Sequence, residues 1–198
     1  NPDPEPDGYP GQDCTNGAAA YDAVGMLNKI GASSVYGRDY TKISNLGLPL
    51  EEEALLGAGD NDWACTRDNN TSLIWEIKTT DGGPRDADWL YTWFSTDAAI
   101  NGGVVGTQNL PEGECGNTIE NCNTTEYRDW INSVGLCGWT DWRVPSSTEL
   151  GGLSSGSIFS PSVDTIFFPN IAASRYWALE SDAKFPSGAW FIEFQNGV

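Results

Sequence analysis

Histidine is absent from this chain of 198 residues, and lysine and arginine together number only ten. Without histidine the chain has no Ser-His-Asp or Cys-His arrangement, no imidazole ligand for zinc and none of the usual general bases. The few basic residues stand against 28 acidic ones, which gives a net charge of −18. Nucleic acid and anionic membrane surfaces require basic patches, so the sequence predicts neither as a partner.

The sequence also lacks any apolar run that approaches the roughly 18 residues of a membrane span. It has no C-x-x-C spacing among its five cysteines, which disfavours zinc ribbons and thioredoxin-like redox sites and fits an oxidising compartment. The chain begins at Asn1 without a signal-peptide pattern, so we expect a mature or cut form of a secreted protein. The predicted location is extracellular or at the cell surface.

The cysteines predict two disulfide bonds. Cys115 and Cys122 enclose six residues, which suits a small disulfide loop. Cys65 and Cys137 stand beside the two most distinctive motifs of the chain, and we expect them to pair. Cys14 is left over, so it is either a buried free thiol or a partner for a cysteine outside this sequence.

The most distinctive motif covers residues 138–150 and reads G-W-T-D-W-R-V-P-S-S-T-E-L. Pro145 fixes its own φ and pushes the residue before it toward an extended conformation. Ser146 and Glu149 have the spacing of a capping box, which predicts the start of a helix. We expect a structural corner here, with ligand binding by the arginine as the alternative. The residues assigned to this corner are Trp142, which we expect to be buried, Arg143, which we expect to pair with a carboxylate or main-chain carbonyls, Pro145 and Glu149.

The remaining periodicities predict an α+β domain. Glu126–Val134 places its apolar residues on one helical face, and Asn123 can cap that helix. Ser72–Lys78 alternates in the manner of a half-buried strand. Further strands are predicted at Leu90–Phe94, Tyr176–Leu179 and Ala189–Phe194, and the family resemblance described below implies a first strand at Tyr36–Ile43.

The motif at 138–150 resembles the G-[YW]-x-D-W-R-L-P-t-x-x-E-L signature of a secreted bacterial family, the C-terminal domain of the Legionella collagen-like adhesin and its relatives. Residues 63–76, W-A-C-T-R-D-N-N-T-S-L-I-W-E, are similar to another motif of that family. F-P-N at 168–170, Y-W-A-L-E-S at 176–181 and A-W-F at 189–191 follow its order. The resemblance implies a C-type-lectin-like fold, with two helices around short twisted antiparallel sheets, long loops and disulfide staples.

We expect residues 1–13, in which proline alternates with acid, to form an extended arm. Residues 14–198 would form one C-type-lectin-like domain with a core from about residue 36. Asn196-Gly197 is a hairpin signal, whereas the resemblance implies further strands beyond it, so the last strands are expected to be missing from this sequence or supplied by another chain. One hypothesis is therefore self-assembly, in which the arm and the edge strand Ala189–Phe194 contact neighbouring subunits.

Calcium is the one cofactor that the acidic loops suggest. Asp60, Asp62 and Asp68 are the candidate ligands, because calcium takes six to eight oxygen atoms. The loops do not match an EF-hand. The alternative for Asp68–Asn70 is an Asx-turn that leads into a strand.

A sugar or surface ligand is expected in the last third of the chain, where lectin-like folds place ligands. Rings of Trp177 and Trp190 could stack on sugars, and the alternative is that both tryptophans belong to the core. Acids are rarely buried without partners, which favours the two carboxylates of this region as ligand residues. The candidate ligand residues are Asn170, Trp177, Glu180 and Asp182.

The sequence predicts a non-catalytic extracellular binding or adhesion domain. No carboxylate pair stands out among 28 acids as glycosidase machinery, so we do not expect an enzyme. The alternative function is a structural subunit of a surface filament that uses the same domain as a building block.

Overall fold

A computed structural model describes residues 38–109, 114–156, 158–185 and 188–196. The predicted arm, Cys14 and Gly197 lie outside these ranges. Within them the chain forms two small antiparallel sheets and two α-helices, which confirms the predicted α+β class. The elements in chain order are β1 (Tyr40–Ser44), β2 (Trp63–Asp68), β3 (Ile74–Glu76), α1 (Thr124–Val134), a 3₁₀ turn (Leu136–Gly138), α2 (Ser147–Gly151), β4 (Arg175–Ser181) and β5 (Ala189–Glu193).

The first sheet has the order β1-β2-β3, so β2 is central and β3 is an edge strand. Cys65 lies opposite Ile43 on β1 and Glu76 on β3. The strand β2 was not predicted, because all but one of its residues are buried and the sequence therefore shows no clean alternation. Leu90–Phe94 forms only isolated bridges rather than the predicted strand.

The second sheet is the two-stranded hairpin β4-β5. Tyr176 pairs with Ile192, and a bulge separates Trp177 from the next pair, Ser181 and Ala189. Directly after β5, the carbonyl of Phe194 accepts a hydrogen bond of 2.6 Å from the backbone N–H of Ser162. The strand β4 extends beyond both of its predicted ends, whereas β5 ends one residue earlier than predicted.

Both helices begin where side chains cap them. The Asn123 side chain accepts a hydrogen bond of 2.9 Å from the backbone N–H of Glu126, and Gly135 ends α1 in the left-handed conformation at φ 64°. At α2, Ser146 and Glu149 form the complete capping box that their spacing predicted. None of the helices in the described ranges is long and apolar enough to cross a membrane.

The core consists of two clusters and two disulfide bonds. The first cluster lies between the two sheets and α2, and the second lies between β1, β2 and α1. Cys65 and Cys137 are bonded within the second cluster, and Cys115 and Cys122 close the small loop, as predicted. These bonds link the first sheet to the motif at 138–150 and fix the loop that precedes α1.

Candidate functional site

A cavity among the described residues lies where the two core clusters meet. Its volume is about 450 Å³, within the usual range for small-molecule sites. Consecutive residues of β3, one face of α1, the motif at 138–150 and the start of β4 form its walls. Its aromatic lining residues are Trp75, Tyr91, Tyr127, Trp139, Trp142, Phe168, Tyr176, Trp177 and Phe194.

A hydrogen-bonded carboxylate stands in the wall of this cavity. Glu76 on β3 accepts a hydrogen bond from the hydroxyl of Tyr127 on α1 and forms an ion pair with Lys78. Burial raises the pKa of Glu76, but the charges of Lys78 and Arg85 and the two hydrogen bonds outweigh it, so its pKa lies below the ordinary value. Burial and the Glu76 carboxylate hold the pKa of Tyr127 well above its usual range.

A second ion pair lies in the motif at 138–150. The guanidinium of Arg143 makes two hydrogen bonds to the Glu149 carboxylate, at 2.7 and 2.6 Å. The hydrogen bonds from Arg143, helped by the backbone of Ser146, lower the pKa of Glu149 to about 2. The Arg143 side chain is 50% exposed, so the predicted carboxylate partner is present but the pair is not buried.

Trp142 was predicted to be buried but is only partly buried, because its side chain lines the cavity. Its backbone N–H donates to the side-chain oxygen of Asn132 at 2.7 Å, and the Asn132 amide donates to its carbonyl at 2.9 Å. Pro145 has the structural place expected of it, since its carbonyl accepts the N–H of Leu179 at 2.8 Å. These contacts fasten the motif to α1 and to β4.

The predicted ligand residues do not form one cluster of unengaged groups. Asn170 donates to the carbonyl of Lys78 at 2.8 Å, and Glu180 accepts the N–H of Ser147 at 3.0 Å at the start of α2. Asp182 accepts the N–H of Lys184 at 2.8 Å in the β4-β5 turn. Hydrogen bonds within the domain thus engage all three polar side chains.

Trp177 is the predicted ligand residue that faces the cavity. Its indole N–H donates to the carbonyl of Tyr91 at 2.7 Å, and its ring meets the edge of Phe191 at 6.1 Å between centroids. The guanidinium of Arg175 lies 4.8 Å from the centre of the Phe191 ring. These contacts fix the aromatic pair on one face of the β4-β5 hairpin.

Trp190 is the one exposed tryptophan of the nine, all of which lie in the described ranges. Its side chain is 53% exposed, and that of Phe185, in the turn of the same hairpin, is 69% exposed. The alternative that Trp190 belongs to the core is therefore wrong. The hairpin therefore exposes two aromatic rings to solvent, one on β5 and one in the turn that also contains Asp182.

The structure does not bring the predicted calcium ligands together. The extended strand β2 separates Asp62 from Asp68 by six residues, or about 20 Å. Asp62 accepts the N–H of Gly59, and Asp68 accepts the N–H of Asn70 at 2.9 Å, which is the alternative Asx-turn. Among the described residues no three His, Cys, Asp or Glu side chains converge to hold a metal ion.

Sequence reasoning did not single out the Glu76, Lys78 and Tyr127 cluster. Glu76 and Lys78 share the polar face of a predicted strand, whereas Tyr127 lies on the apolar face of a predicted helix. The sequence signal that could have indicated the cluster is an acid and a base two residues apart on one face of a strand. Their common partner, Tyr127, reaches them because α1 packs against β3, and no local sequence pattern indicates that packing.

The family comparison agrees with the order of motifs along the chain. No curated protein and no solved structure matches the chain. The family model of the Lcl C-terminal domain matches residues 64–198, about two thirds of the chain, and includes β2 from its second residue, both disulfides, the motif at 138–150 and the β4-β5 hairpin. By this match the chain belongs to the Lcl C-terminal domain family.

Proposed function

We propose that this chain is an extracellular, non-catalytic binding domain of the adhesin type, with a C-type-lectin-like fold. Membership in the Lcl C-terminal domain family supports a role at the cell surface. Two disulfide bonds support residence in an oxidising compartment. Binding rather than catalysis fits the cavity, because Glu76, Lys78, Arg143 and Glu149 neutralise one another in pairs.

The ligand in this proposal is a carbohydrate that the tip of the β4-β5 hairpin recognises. The observation that carries it is the exposure of Trp190, when the other eight tryptophans are buried or partly buried. Tryptophan combines a large apolar ring with an N–H donor and is enriched at binding surfaces. Phe185 adds a second ring, and the carboxylate of Asp182 can accept hydrogen bonds from sugar hydroxyls.

A glycan array with the purified chain tests this proposal. We expect binding to at least one glycan class, and we expect Trp190→Ala to lose at least tenfold in affinity for it. Leu55→Ala is the matched control, because Leu55 is 82% exposed in the loop between β1 and β2. Equal losses from both substitutions, or full binding by Trp190→Ala, would contradict the proposal. Repeating the array with a chelator tests the calcium prediction.

A structural subunit of a surface filament is the second candidate. It is favoured by the edge strand β5, which pairs only with β4 along Ala189–Glu193 in the described ranges. An open strand edge can accept a strand from another molecule. Electron microscopy of the native material tests it, and regular fibres that label for this chain are the expected result.

A further inference from the structure

The wall of the cavity holds one charge that the rest of the domain does not compensate. Two of its ion pairs, Glu76 with Lys78 and Arg143 with Glu149, lie within the wall, and Arg128 pairs at 2.6 Å with Asp129 beside it on α1. The charged residues that line the cavity are Glu76, Lys78, Arg128, Asp141, Arg143 and Glu149. Among the described residues no ion pair or hydrogen bond engages Asp141, so its negative charge is left over.

The other two carboxylates of the wall have no free oxygen. One oxygen of Glu76 accepts the hydroxyl of Tyr127, and the other belongs to its ion pair. Both oxygens of Glu149 accept hydrogen bonds from Arg143. Asp141 is exposed, so its carboxylate is the one in this wall that a ligand can reach and bind.

The charges around the cavity favour a cation at the motif at 138–150 and not at β3. The guanidinium of Arg85 lies behind β3, where it donates to the carbonyl of Ala64 at 2.8 Å, and its charge helps to lower the pKa of Glu76. Glu76 therefore faces two cations, Lys78 and Arg85, and the β3 side of the cavity is positive. Asp141 makes the side formed by the motif negative.

Two tryptophans that line the cavity, Trp139 and Trp142, flank Asp141 in the chain. The indole N–H of Trp142 donates to the carbonyl of Leu136 at 3.2 Å. The ring of Trp139 lies against the backbone of Gly47, where a Cβ atom would be 3.4 Å from it. Both rings are thus held in place, and tryptophan is the aromatic side chain that attracts a cation most strongly.

These groups suit a methylated ammonium better than a primary one. A primary ammonium carries three N–H donors that need acceptors, whereas the wall offers it the single free carboxylate of Asp141. A methylated ammonium needs few acceptors or none and is held by aromatic faces and a nearby negative charge. The cavity of about 450 Å³ is large enough for a small molecule, and the net charge of −18 attracts cations to the domain.

We infer that the cavity binds a small organic cation through its methylated ammonium group, between the rings of Trp139 and Trp142 and beside the carboxylate of Asp141. Trp190, which carries the proposed carbohydrate site, does not line this cavity. The inference therefore does not depend on carbohydrate binding.

An NMR titration of the full chain with choline tests this inference. The control ligand is 3,3-dimethylbutan-1-ol, which has the shape of choline without its charge. We expect choline to shift the indole signals of Trp139 and Trp142 with a Kd on the order of 1 mM, and the alcohol to bind at least about tenfold more weakly. Equal affinities for the two molecules, shifts of the Trp190 signal alone, or no binding of choline would overturn the inference.

Replacement of Asp141 tests the carboxylate. Because Asp141 makes no contact among the described residues, Asp141→Asn should keep the urea midpoint of the wild-type chain while its affinity for choline falls by about threefold or more. Its affinity for the alcohol should not change. Glu120→Gln removes an exposed charge outside the cavity wall and should bind choline as the wild-type chain does. Wild-type affinity in Asp141→Asn, or an equal loss in Glu120→Gln, would contradict the role of Asp141.

A trimethylammonium group occurs both in free molecules and in lipid headgroups. Sedimentation with phosphatidylcholine vesicles distinguishes these two sources for a chain that binds choline. Recovery of the chain in the pellet, reversed by free choline, identifies the headgroup, whereas a chain that stays in the supernatant binds the free molecule.

Discussion

Arg143 has the carboxylate partner that the sequence predicted, Glu149, but the pair contributes less to stability than a buried pair would. The pair was expected to be buried, where loss of one partner costs about 3–5 kcal/mol. Half of the Arg143 side chain is in contact with solvent, so the pair resembles a surface ion pair worth about 0.2–1 kcal/mol. Glu149 has the additional task of accepting the N–H of Ser146.

The two substitutions should therefore differ in their effect on the free energy of unfolding. We expect Arg143→Ala to cost less than about 1 kcal/mol and Glu149→Ala to cost about 1–2 kcal/mol, because it also removes half of the capping box. Urea unfolding of both variants measures this difference. An Arg143→Ala cost equal to or above that of Glu149→Ala would show that the arginine acts through contacts other than this carboxylate.

The pKa of Glu149 gives a second prediction. Its ordinary value is near 4.3, and the hydrogen bonds from Arg143 and Ser146 lower it to about 2 in the folded state. A lowered carboxyl pKa stabilises the fold above the unfolded value, and this contribution is lost as the pH falls toward the folded value. The stability difference between the wild-type chain and Glu149→Gln should shrink between pH 5 and pH 2.

Urea unfolding at pH 6, 4 and 3 checks this dependence. Glu120→Gln is the control, since Glu120 is exposed and lies away from the motif. We expect the control to keep a constant offset from the wild-type chain. A Glu149→Gln offset that does not change with pH would mean that the ion pair contributes nothing to stability.

At the scale of elements, Asn132 connects α1 to the motif at 138–150. Its amide pairs with both backbone groups of Trp142, at 2.7 and 2.9 Å. These two hydrogen bonds replace those that a neighbouring strand would make, because this stretch of chain has no strand beside it in the described ranges. The disulfide Cys65–Cys137 connects the same stretch to β2.

Replacement of Asn132 by alanine leaves the N–H and the C=O of Trp142 without this partner. We expect a loss of about 1–3 kcal/mol in the free energy of unfolding. Asn132→Asp keeps the acceptor but not the donor and should lose less. Ser133→Ala, one residue further along the exposed side of α1, should change stability by less than about 0.5 kcal/mol. A neutral Asn132→Ala in thermal or urea unfolding would contradict this role.

The sequence predicted the elements that carry local signals and missed those that depend on packing. The Asn123 cap and the capping box at Ser146 fixed the starts of both helices, because each is a contact within four residues. The strand β2 has no such signal, since its burial comes from β1, β3 and α1 together. Leu90–Phe94 has the composition of a strand but finds only isolated bridge partners.

For the candidate site, too, the sequence predicted the region but not the contacts that depend on packing. Trp190 and Asp182 lie in the region that the sequence indicated, at the tip of the β4-β5 hairpin. Glu180 was expected to be available because acids avoid burial, yet the N–H of Ser147 at the start of α2 provides the partner that makes it structural. That partner is 33 residues away along the chain, beyond the reach of any local pattern.

At the scale of the whole molecule, the chain is strongly acidic, whereas two ion pairs balance charges in the wall of the cavity. A net charge of −18 disfavours anionic surfaces as partners. In the wall of the cavity, Glu76 forms an ion pair with Lys78, and Arg143 forms one with Glu149. The proposed carbohydrate site is the exposed tip of the β4-β5 hairpin.

The most direct test of the account is a titration that follows the nine indole N–H signals by NMR. The titrant is a glycan that the array identifies as bound. We predict that the Trp190 signal shifts, with little change for the four tryptophans that line the cavity, Trp75, Trp139, Trp142 and Trp177. If the signals of the four cavity tryptophans shift while that of Trp190 stays unchanged, the ligand binds in the cavity and the account is contradicted.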